Sequence, residues 1–358
     1  QTRERPRIVR HLQLANPWSG GVRIGFEEML NARSWRRAAT RSGLIVLGTL
    51  AGLLLAEVSL RLANRLSSDT ETRVSDQEQR VPLGSPGWPL SREGKIAVTP
   101  KRTSHRIVVL GDSFTWGDGV EAEEAYPAVL QDLLEQRAEL DVEVINWSRP
   151  GWNTGRELKS VQPQLPVLDP DLLIIGYCLN DAEPSNRGRL IELRQVMRTA
   201  QRQPSDRATV WLYTNTRIGN LVYNFFEYRR LRKAVTDYYQ RLYEPERSGW
   251  ARTCQAFALF NQISKEQQIP VLLVILPIFD SELDHRYAYH NLHLRVAEAA
   301  TNAGLDVLDL LPSYKGLDGR DLALVPYSNA HPSPLAHRIA AESIYKRLDE
   351  LATELDLW

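Results

Sequence analysis

The stretch HRIVVLGDSFTWG, residues 105–117, joins an apolar run to a turn that carries a nucleophilic side chain. Ile, Val and Leu favour a buried strand, and Gly111 allows the chain to turn sharply where that strand ends. Ser113 therefore comes at the carboxyl end of a strand, the edge at which open α/β sheets bind their ligands. This position makes Ser113 a candidate nucleophile, for which the chain must also supply a base and an oxyanion site.

Downstream of residue 105, strand-like and helix-like segments alternate along the chain. After HRIVVL, the strand-like runs are VEVIN, DLLIIGY, VLLVILP and DVLDL. The helix-like segments between and after them are AYPAVLQDLLEQRAEL, GRELKSVQPQL, NLHLRVAEAATNAG and PLAHRIAAESIYKRLDELA. Alternation of this kind predicts an α/β fold with a mainly parallel sheet and helices on both faces.

The composition limits the kinds of chemistry to be expected. The 358 residues include 44 Lys and Arg and 44 Asp and Glu, so the formal net charge is zero and no bulk field favours nucleic acid. Two cysteines are too few for a disulfide scaffold or a zinc ribbon. The sequence contains no CxxC, HExxH, P-loop or GxGxxG pattern. We therefore predict neither a metal nor an organic cofactor, and no nucleic-acid partner.

An apolar segment near the amino terminus predicts a membrane anchor. GLIVLGTLAGLLLA, residues 43–56, carries no charge, and the following EVSLRL extends it to the length of a bilayer span. Glu57 and Arg61, four residues apart, can pair along one helix face. The arginines before the span predict a cytoplasmic amino terminus; they are Arg33, Arg36, Arg37 and Arg41. The main domain then lies outside the inner membrane, in the periplasm of a Gram-negative cell.

These features divide the chain into four predicted segments. Residues 1–42, with nine arginines and three glutamates, form an Arg-rich cytoplasmic segment that either binds anionic lipid or a partner or is disordered. Residues 43–64 form the transmembrane helix, and the polar, Pro-rich residues 65–104 form a tether. Residues 105–358 form the α/β domain.

A long insertion at about residues 184–262 interrupts the alternation and is dense in Arg, Tyr and Phe. Its aromatic residues recur at helical spacing, and residues 229–233 form a basic run. One interpretation is a helical cap whose rings stack on a ligand near the site. The simpler interpretation is extra helices that pack in the core and expose a solvated basic face.

Three further positions can complete a site around Ser113. His331, in SNAHPSPLAH, precedes the last helix and lies in a loop that can fold back over Ser113 as the base. Asn180 ends the strand-like run DLLIIGYCLN and can direct its amide at a developing oxyanion. Gly151 lets the backbone approach closely, so its N–H can serve as a further donor. His337 lies within the last helical pattern and is read as a core residue.

Taken together, four motifs resemble the SGNH/GDSL hydrolase superfamily. GDSFTWG, INWSRPG, YCLND and AHPSPLAH match the four sequence blocks of that superfamily in order, across most of residues 105–350. The resemblance implies a three-layer α/β/α sandwich in a membrane-anchored bacterial branch. It also implies Ser113 as nucleophile, His331 as base, and Gly151 and Asn180 in the oxyanion hole. Members cleave or transfer acyl groups, often acetyl groups on polysaccharides.

The sequence departs from the superfamily at the residue that usually orients the histidine. Ser328 stands where the superfamily has Asp, three residues before His331. A Ser–His dyad oriented by a backbone carbonyl is one solution, and a carboxylate from Asp318 or Asp321 is another. A degenerate site on a retained fold is the third.

Two functions follow from this reading. The first is a membrane-anchored periplasmic serine esterase or O-acyltransferase whose substrate is an acyl ester or an acylated polysaccharide. The alternative is a non-catalytic subunit that uses the same fold in a complex with other membrane proteins. Retention of Ser113, Asn180 and His331 together favours the enzyme, whereas Ser328, the Arg-rich segment and the membrane anchor favour the subunit.

Overall fold

The computed structural model describes residues 41–62, 101, 103–137, 140–184, 193, 195–201, 206–325 and 329–355. The predicted cytoplasmic segment, residues 1–42, and the predicted tether, residues 65–104, lie almost wholly outside these ranges, so both stay predictions. Contacts divide the chain into two compact units. The smaller unit contains residues 1–74 with 204–224, and the larger contains residues 75–203 with 225–358.

The larger unit is built on a five-stranded sheet in which every neighbouring pair of strands is parallel. The strands are β1 (His105–Gly111), β2 (Val142–Ser148), β3 (Leu172–Cys178), β4 (Val271–Leu276) and β5 (Asp306–Asp309), in the spatial order β2-β1-β3-β4-β5. Every residue of β3 and β4 is buried. Strands covered on both faces read as continuous apolar runs, which is why these segments could be predicted from sequence.

The described helices belong to both units, and those of the larger unit flank the sheet. They are α1 (Arg41–Leu62), α2 (Ser113–Trp116), α3 (Tyr126–Glu135), α4 (Thr154–Val161), α5 (Leu165–Leu168), α6 (Arg207–Asn215), α7 (Arg217–Leu242), α8 (Ser248–Gln267), α9 (His290–Asn302), α10 (Gly319–Leu322) and α11 (Pro334–Leu355). α3 packs against α11, whereas α8 packs against both α4 and α9. Helices therefore cover both faces, and the predicted three-layer α/β/α architecture is confirmed.

The order of the strands places a crevice at the carboxyl ends of β1 and β3. The chain runs from β1 outward to β2, then crosses back to β3 on the other side of β1. Because parallel crossovers are right-handed, α3 lies on one face, and α4, α8 and α9 lie on the other. Ligands of open α/β sheets bind where the strand order reverses in this way. Ser113 follows β1 and Asn180 follows β3, so both candidate residues lie at this switch point.

Two glycines allow the first helical turn to lie against the ends of these strands. A Cβ at Gly111 or at Gly176 would collide with the side chain of Thr115 on α2, and at Gly176 also with the Tyr126 hydroxyl. The Thr115 and Tyr126 hydroxyls are 3.0 Å apart and buried. Close approach at these two glycines therefore fixes the position of α2, which begins at Ser113.

A small second sheet carries the candidate base. β6 (Ala323–Val325) and β7 (Asn329–Pro332) pair antiparallel, with Ala323 opposite Pro332 and Val325 opposite Asn329. α11 begins at Pro334, directly after β7, and its Ala336 carbonyl accepts a hydrogen bond of 2.8 Å from the Tyr314 hydroxyl. These contacts hold the strand that contains His331 against the main domain.

The insertion after Asn180 divides into a packed part and an exposed part. Within the larger unit, Tyr238, Tyr239 and Leu242 at the end of α7 are buried. Two of the four cations in the basic run pair with carboxylates on the same helix: Arg230 with Glu227, and Lys233 with Asp237 at 2.7 Å. For this part of the insertion, the structure agrees with core packing and a solvated basic face.

The smaller unit contains α1, α6 and the beginning of α7. α1 is 22 residues long with a mean hydropathy of 2.0 over its most apolar window, none of which is buried. It is the one helix among the described residues that is long and apolar enough to cross a membrane. The predicted pair on its face is present, because Arg61 Nε donates to Glu57 Oε1 over 2.7 Å.

Candidate active site

The turn after β1 is built around Asp112. Its Oδ1 accepts a hydrogen bond of 2.8 Å from the Phe114 backbone N–H, so the side chain caps the amino terminus of α2. Gly117 ends this helix in the left-handed region at φ 83°, where its N–H donates to the Ser113 carbonyl. The capped turn places Ser113 at the first helical position, beyond the carboxyl end of β1.

Ser113 and His331 meet directly. His331 Nε2 lies 2.9 Å from Ser113 Oγ, although 218 residues separate the two along the chain. The ring of Phe114 packs against the imidazole with a centroid separation of 4.9 Å. The distance is within the range at which a base can take a proton from a hydroxyl.

Asn329 orients the imidazole and determines which ring nitrogen carries the proton. Asn329 Oδ1 lies 3.1 Å from the His331 backbone nitrogen and 2.6 Å from His331 Nδ1. A backbone N–H can only donate, so the side-chain atom that it meets must be the amide oxygen. Because that oxygen only accepts, Nδ1 carries the hydrogen, and Nε2 presents its lone pair to Ser113.

Asn329 was not among the predicted residues, because the superfamily pattern places the orienting residue three positions before the histidine. In a strand, residues two apart point to the same side. Asn329 and His331 both lie on β7 and are two apart, so their side chains share one side of that strand. An Asn-x-His pattern in a strand-like segment was the available signal.

The other predicted orienting residues have different outcomes. Ser328 lies outside the described residues. The Asp318 carboxylate caps the amino terminus of α10 and accepts from Arg320 Nε at 2.9 Å, so it is engaged away from His331. Asp321 lies within α10 with an exposed side chain. The structure therefore gives the orienting contact to Asn329 rather than to Asp318 or Asp321.

Asn180 reaches the site through Asp112. Asn180 Nδ2 donates to Asp112 Oδ2 over 2.9 Å, and Ser113 Oγ lies 3.5 Å from the same oxygen. A carboxylate only accepts, so it fixes the amide with its nitrogen toward the site. One of the two N–H groups on Nδ2 is used in this contact, which leaves the second for a ligand.

Gly151 lies in the loop after β2, at the same edge of the sheet. Gly111 and Ser148 end their strands as register partners, and the Arg149 N–H donates to the Gly111 carbonyl over 3.0 Å. Gly151 has φ 81°, a left-handed conformation that a residue with a Cβ rarely adopts. Glycine here permits the loop to turn back beside the end of β1.

A carboxylate outside the predicted set of site residues lies beside the imidazole. Asp118 Oδ2 is 3.9 Å from His331 Nε2, and the Asp118 side chain is half exposed. The Asp118 N–H donates to the Ser113 carbonyl over 3.0 Å, which ties this residue to the turn of the nucleophile. A negative charge at this distance favours a protonated imidazole, the form that arises when His331 accepts a proton.

His337 is a buried core histidine, as its place in the last helical pattern predicts. Its Nδ1 accepts a hydrogen bond of 3.2 Å from the Tyr126 N–H. Burial lowers the pKa of His337 from 6.5 to about 3, with a smaller contribution from the charge of His331. His337 therefore stays neutral in the folded protein at neutral pH.

We expect the neutral state of His337 to make the protein less stable in acid. Between pH 6.5 and about 3 the unfolded chain binds a proton at this position that the folded chain excludes. The free energy of unfolding should consequently fall, as pH decreases across this window, by at most about 1.4 kcal/mol per pH unit. His337→Asn retains an acceptor for Tyr126 and should flatten this slope, measured by denaturant unfolding at several pH values. His285→Asn, at an exposed histidine, is the control, and an unchanged slope in His337→Asn would contradict the assignment.

No group of three or more His, Cys, Asp and Glu side chains within the described ranges could hold a metal ion. The expectation that neither a metal nor a cofactor takes part stays a prediction. The arrangement of Ser113, His331 and Asn329 can deliver an activated hydroxyl to an electrophilic carbon by proton transfer alone.

Comparisons with known proteins identify the family of the chain. The model of the GDSL-like Lipase/Acylhydrolase family matches residues 109–339. An arylesterase from Vibrio mimicus is 36% identical over 80 residues, which cover 22% of this chain and 40% of the relative. The chain thus spans well under half of the length of that curated relative.

Two solved structures can be superposed on much of the chain at low identity. The structure of TesA is 18% identical, with a TM-score of 0.41, and the match covers 69% of this chain and 99% of TesA. Axe2, an acetylxylan esterase from Geobacillus stearothermophilus, is 15% identical with a TM-score of 0.42, covering 70% of this chain and 95% of Axe2.

Proposed function

The chain belongs to the GDSL-like lipase/acylhydrolase family, and we propose that it is a membrane-anchored serine esterase or O-acyltransferase. The observation that carries this proposal is the 2.9 Å contact between Ser113 Oγ and a His331 imidazole whose Nδ1 is held by Asn329. An imidazole in this tautomer can take the serine proton without rearrangement.

The reaction proceeds through a covalent acyl-enzyme. Ser113 Oγ bonds to the ester carbonyl carbon while its proton passes to His331 Nε2, and the carbonyl oxygen becomes an oxyanion. The tetrahedral intermediate collapses, the bond to the leaving alcohol breaks, and the imidazolium protonates that alcohol. Water, or a sugar hydroxyl in a transferase, then gives its proton to Nε2 and attacks the acyl carbon. The bond between that carbon and Ser113 Oγ breaks, and the imidazolium returns its proton to Oγ.

Three donors are available for the oxyanion in this proposal. The Ser113 N–H lies at the start of α2, Gly151 supplies a backbone N–H, and Asn180 supplies the second hydrogen of Nδ2. Because Asp112 holds the Asn180 amide nitrogen at 2.9 Å, that donor is oriented before the substrate binds. Oriented donors need little rearrangement as charge develops, and each typically contributes about 10²–10³ in rate.

We further propose that α1 spans the inner membrane, with the amino terminus in the cytoplasm and the catalytic domain in the periplasm. The length and hydropathy of α1 support the span, and the arginines before it support the orientation. An acyl ester, first of all an acetylated polysaccharide, is the proposed substrate. This substrate is proposed because the four motifs resemble a superfamily whose members often act on such esters.

The second candidate is a non-catalytic subunit of a membrane protein complex. The observation that favours it is that His331 Nδ1 is held by a neutral amide, which stabilises the imidazolium less than a carboxylate does. The half-exposed Asp118 carboxylate, 3.9 Å from Nε2, offsets part of that difference and favours the enzyme.

Burst kinetics with the full chain in detergent distinguish the two candidates. With p-nitrophenyl acetate, we expect a rapid release of nitrophenol equal to the number of sites, followed by slower turnover, because an acyl-enzyme accumulates. Ser104→Ala, at an exposed serine, should behave as the unaltered chain does, whereas Ser113→Ala should show neither phase. Background hydrolysis in all three well-folded proteins would favour the subunit.

A further inference from the structure

The far end of α1 is bound by hydrogen bonds to two helix termini of the smaller unit. The Glu57 carboxylate accepts from the Arg217 N–H at 2.7 and 2.8 Å and from the Ile218 N–H at 3.0 Å, so it caps the amino terminus of α7. Arg61 Nη2 donates over 2.8 Å to the carbonyl of Asn215, the last residue of α6. The negative charge of Glu57 thus lies at the amino terminus of α7, which carries a partial positive charge. The positive charge of Arg61 lies at the carboxyl terminus of α6, which carries a partial negative charge.

We define the α6–α7 corner as residues Arg207–Asn224, which contain α6 and the first turns of α7. Residues 208–216 and 218–224 of the corner carry no charged side chain. Its large apolar side chains are exposed, with Trp211 at 59%, Leu212 at 49% and Leu221 at 57% of their full area. Val210 and Val222 are exposed beside them in sequence. Exposed apolar surface on this scale is unusual for a water-facing part of a protein and indicates a covering partner.

The position of the corner along α1 indicates what covers it. At 1.5 Å per residue, the 22 residues of α1 match the thickness of the hydrocarbon core of a bilayer. Glu57 and Arg61 lie in its last six residues, so the corner is fixed at about the depth where hydrocarbon gives way to headgroups. At this depth Trp and Tyr rings are favoured, and the corner carries Trp211, Tyr213 and Tyr223.

A polar pocket of about 300 Å³ opens in the same unit, between the end of α1 and the corner. Arg61 and Arg217 line it, together with Thr216 and Asn220. Two guanidinium groups among neutral polar residues are suited to the phosphate of a lipid headgroup. A lipid surface can thus contact both features, with acyl chains against the apolar side chains and phosphates in the basic pocket.

We propose that the α6–α7 corner inserts into the membrane leaflet from which α1 emerges, with its apolar side chains among the acyl chains and its arginines at the lipid phosphates. This inference rests on the proposed anchoring by α1. Two elements then anchor the chain in the membrane: α1 spans the bilayer, and the α6–α7 corner lies in its interface. The Glu57 carboxylate joins them through the amino terminus of α7.

Quenching of site-specific fluorophores by lipid tests this inference. In a Cys254→Ser background of the full chain, single cysteines replace Leu50 of α1, Leu212 and Leu221 of the corner, and Leu294 of the larger unit. All four leucines are at least 49% exposed. Each cysteine is labelled with an environment-sensitive fluorophore, and the protein is reconstituted into phosphatidylcholine and phosphatidylglycerol vesicles that contain a doxyl-labelled lipid.

We expect lipid quenching of the labels at positions 50, 212 and 221 and none at position 294. Adding Glu57→Ala should reduce quenching at 212 and 221 while leaving position 50 quenched, because the connection between α1 and the corner is lost. Quenching at position 50 with none at 212 and 221 would overturn the inference and leave the anchor intact. A label at position 50 that remains unquenched would overturn both the anchor and the inference. Neither outcome bears on the proposed esterase activity, which is measured separately in the same vesicles.

Discussion

Replacing either Ser113 or His331 with alanine should lower kcat for ester hydrolysis by about 10⁴–10⁶, and replacing both should lower it no further. The two side chains act as one unit, because the hydroxyl becomes a useful nucleophile only as its proton passes to Nε2 over 2.9 Å. Once one partner is removed, the other has no remaining role in the chemical step.

The measurement is kcat/KM for an aryl acetate with the two single variants and the double variant, beside His285→Ala at an exposed histidine. Residual rates in the catalytic variants should be equal and should reflect binding and the oxyanion donors alone. Additive losses would show that the two residues act independently, and a His331→Ala variant with nearly full activity would remove the base from the mechanism.

Replacing Asn329 should change activity in opposite directions, depending on the substitute. Asn329→Leu leaves Nδ1–H without its acceptor and should lower kcat by about 10²–10⁴, since the ring is no longer held in the productive tautomer. Asn329→Asp keeps the shape and adds a negative charge beside the imidazole. It should raise kcat by about ten-fold and shift the acid limb of the pH–rate profile to higher pH, because a carboxylate stabilises the imidazolium.

The pH profile separates this positioning role from a purely structural one. A contact that only supports the fold would lower the thermal midpoint of Asn329→Leu and leave the shape of the pH–rate profile of Asn329→Asp unchanged. Equal kcat values for the unaltered chain, Asn329→Leu and Asn329→Asp would contradict the assignment of Asn329.

The sheet and the positions of Ser113, Asn180 and His331 could be predicted because the sequence patterns that indicate them are local. β1 and β3 are buried on both faces, so each reads as an apolar run that ends at a polar turn. Parallel strands bring the turns after them to one edge, which predicts that Ser113 and Asn180 approach each other. His331 could be placed because it precedes the last helix of the alternating pattern.

The contacts that were not predicted depend on long-range geometry. Asn329 orients His331 because β7 pairs with β6 as a strand, a pairing that the sequence of a short polar loop does not reveal. The Asn180 amide meets Asp112, and Glu57 meets Arg217 at a separation of 160 residues. Asp112, Asn329 and Glu57 are ordinary turn or surface residue types, and only the folded chain shows which group each one meets.

The central claim is that His331 makes the hydroxyl of Ser113 nucleophilic. Reaction of the full chain with a fluorophosphonate probe, followed by peptide mass spectrometry, tests it most directly. We predict one adduct, on Ser113, that is absent from a folded His331→Ala protein even though the serine is retained. No adduct on the folded, unaltered chain, or equal labelling of Ser113 with and without His331, would contradict it.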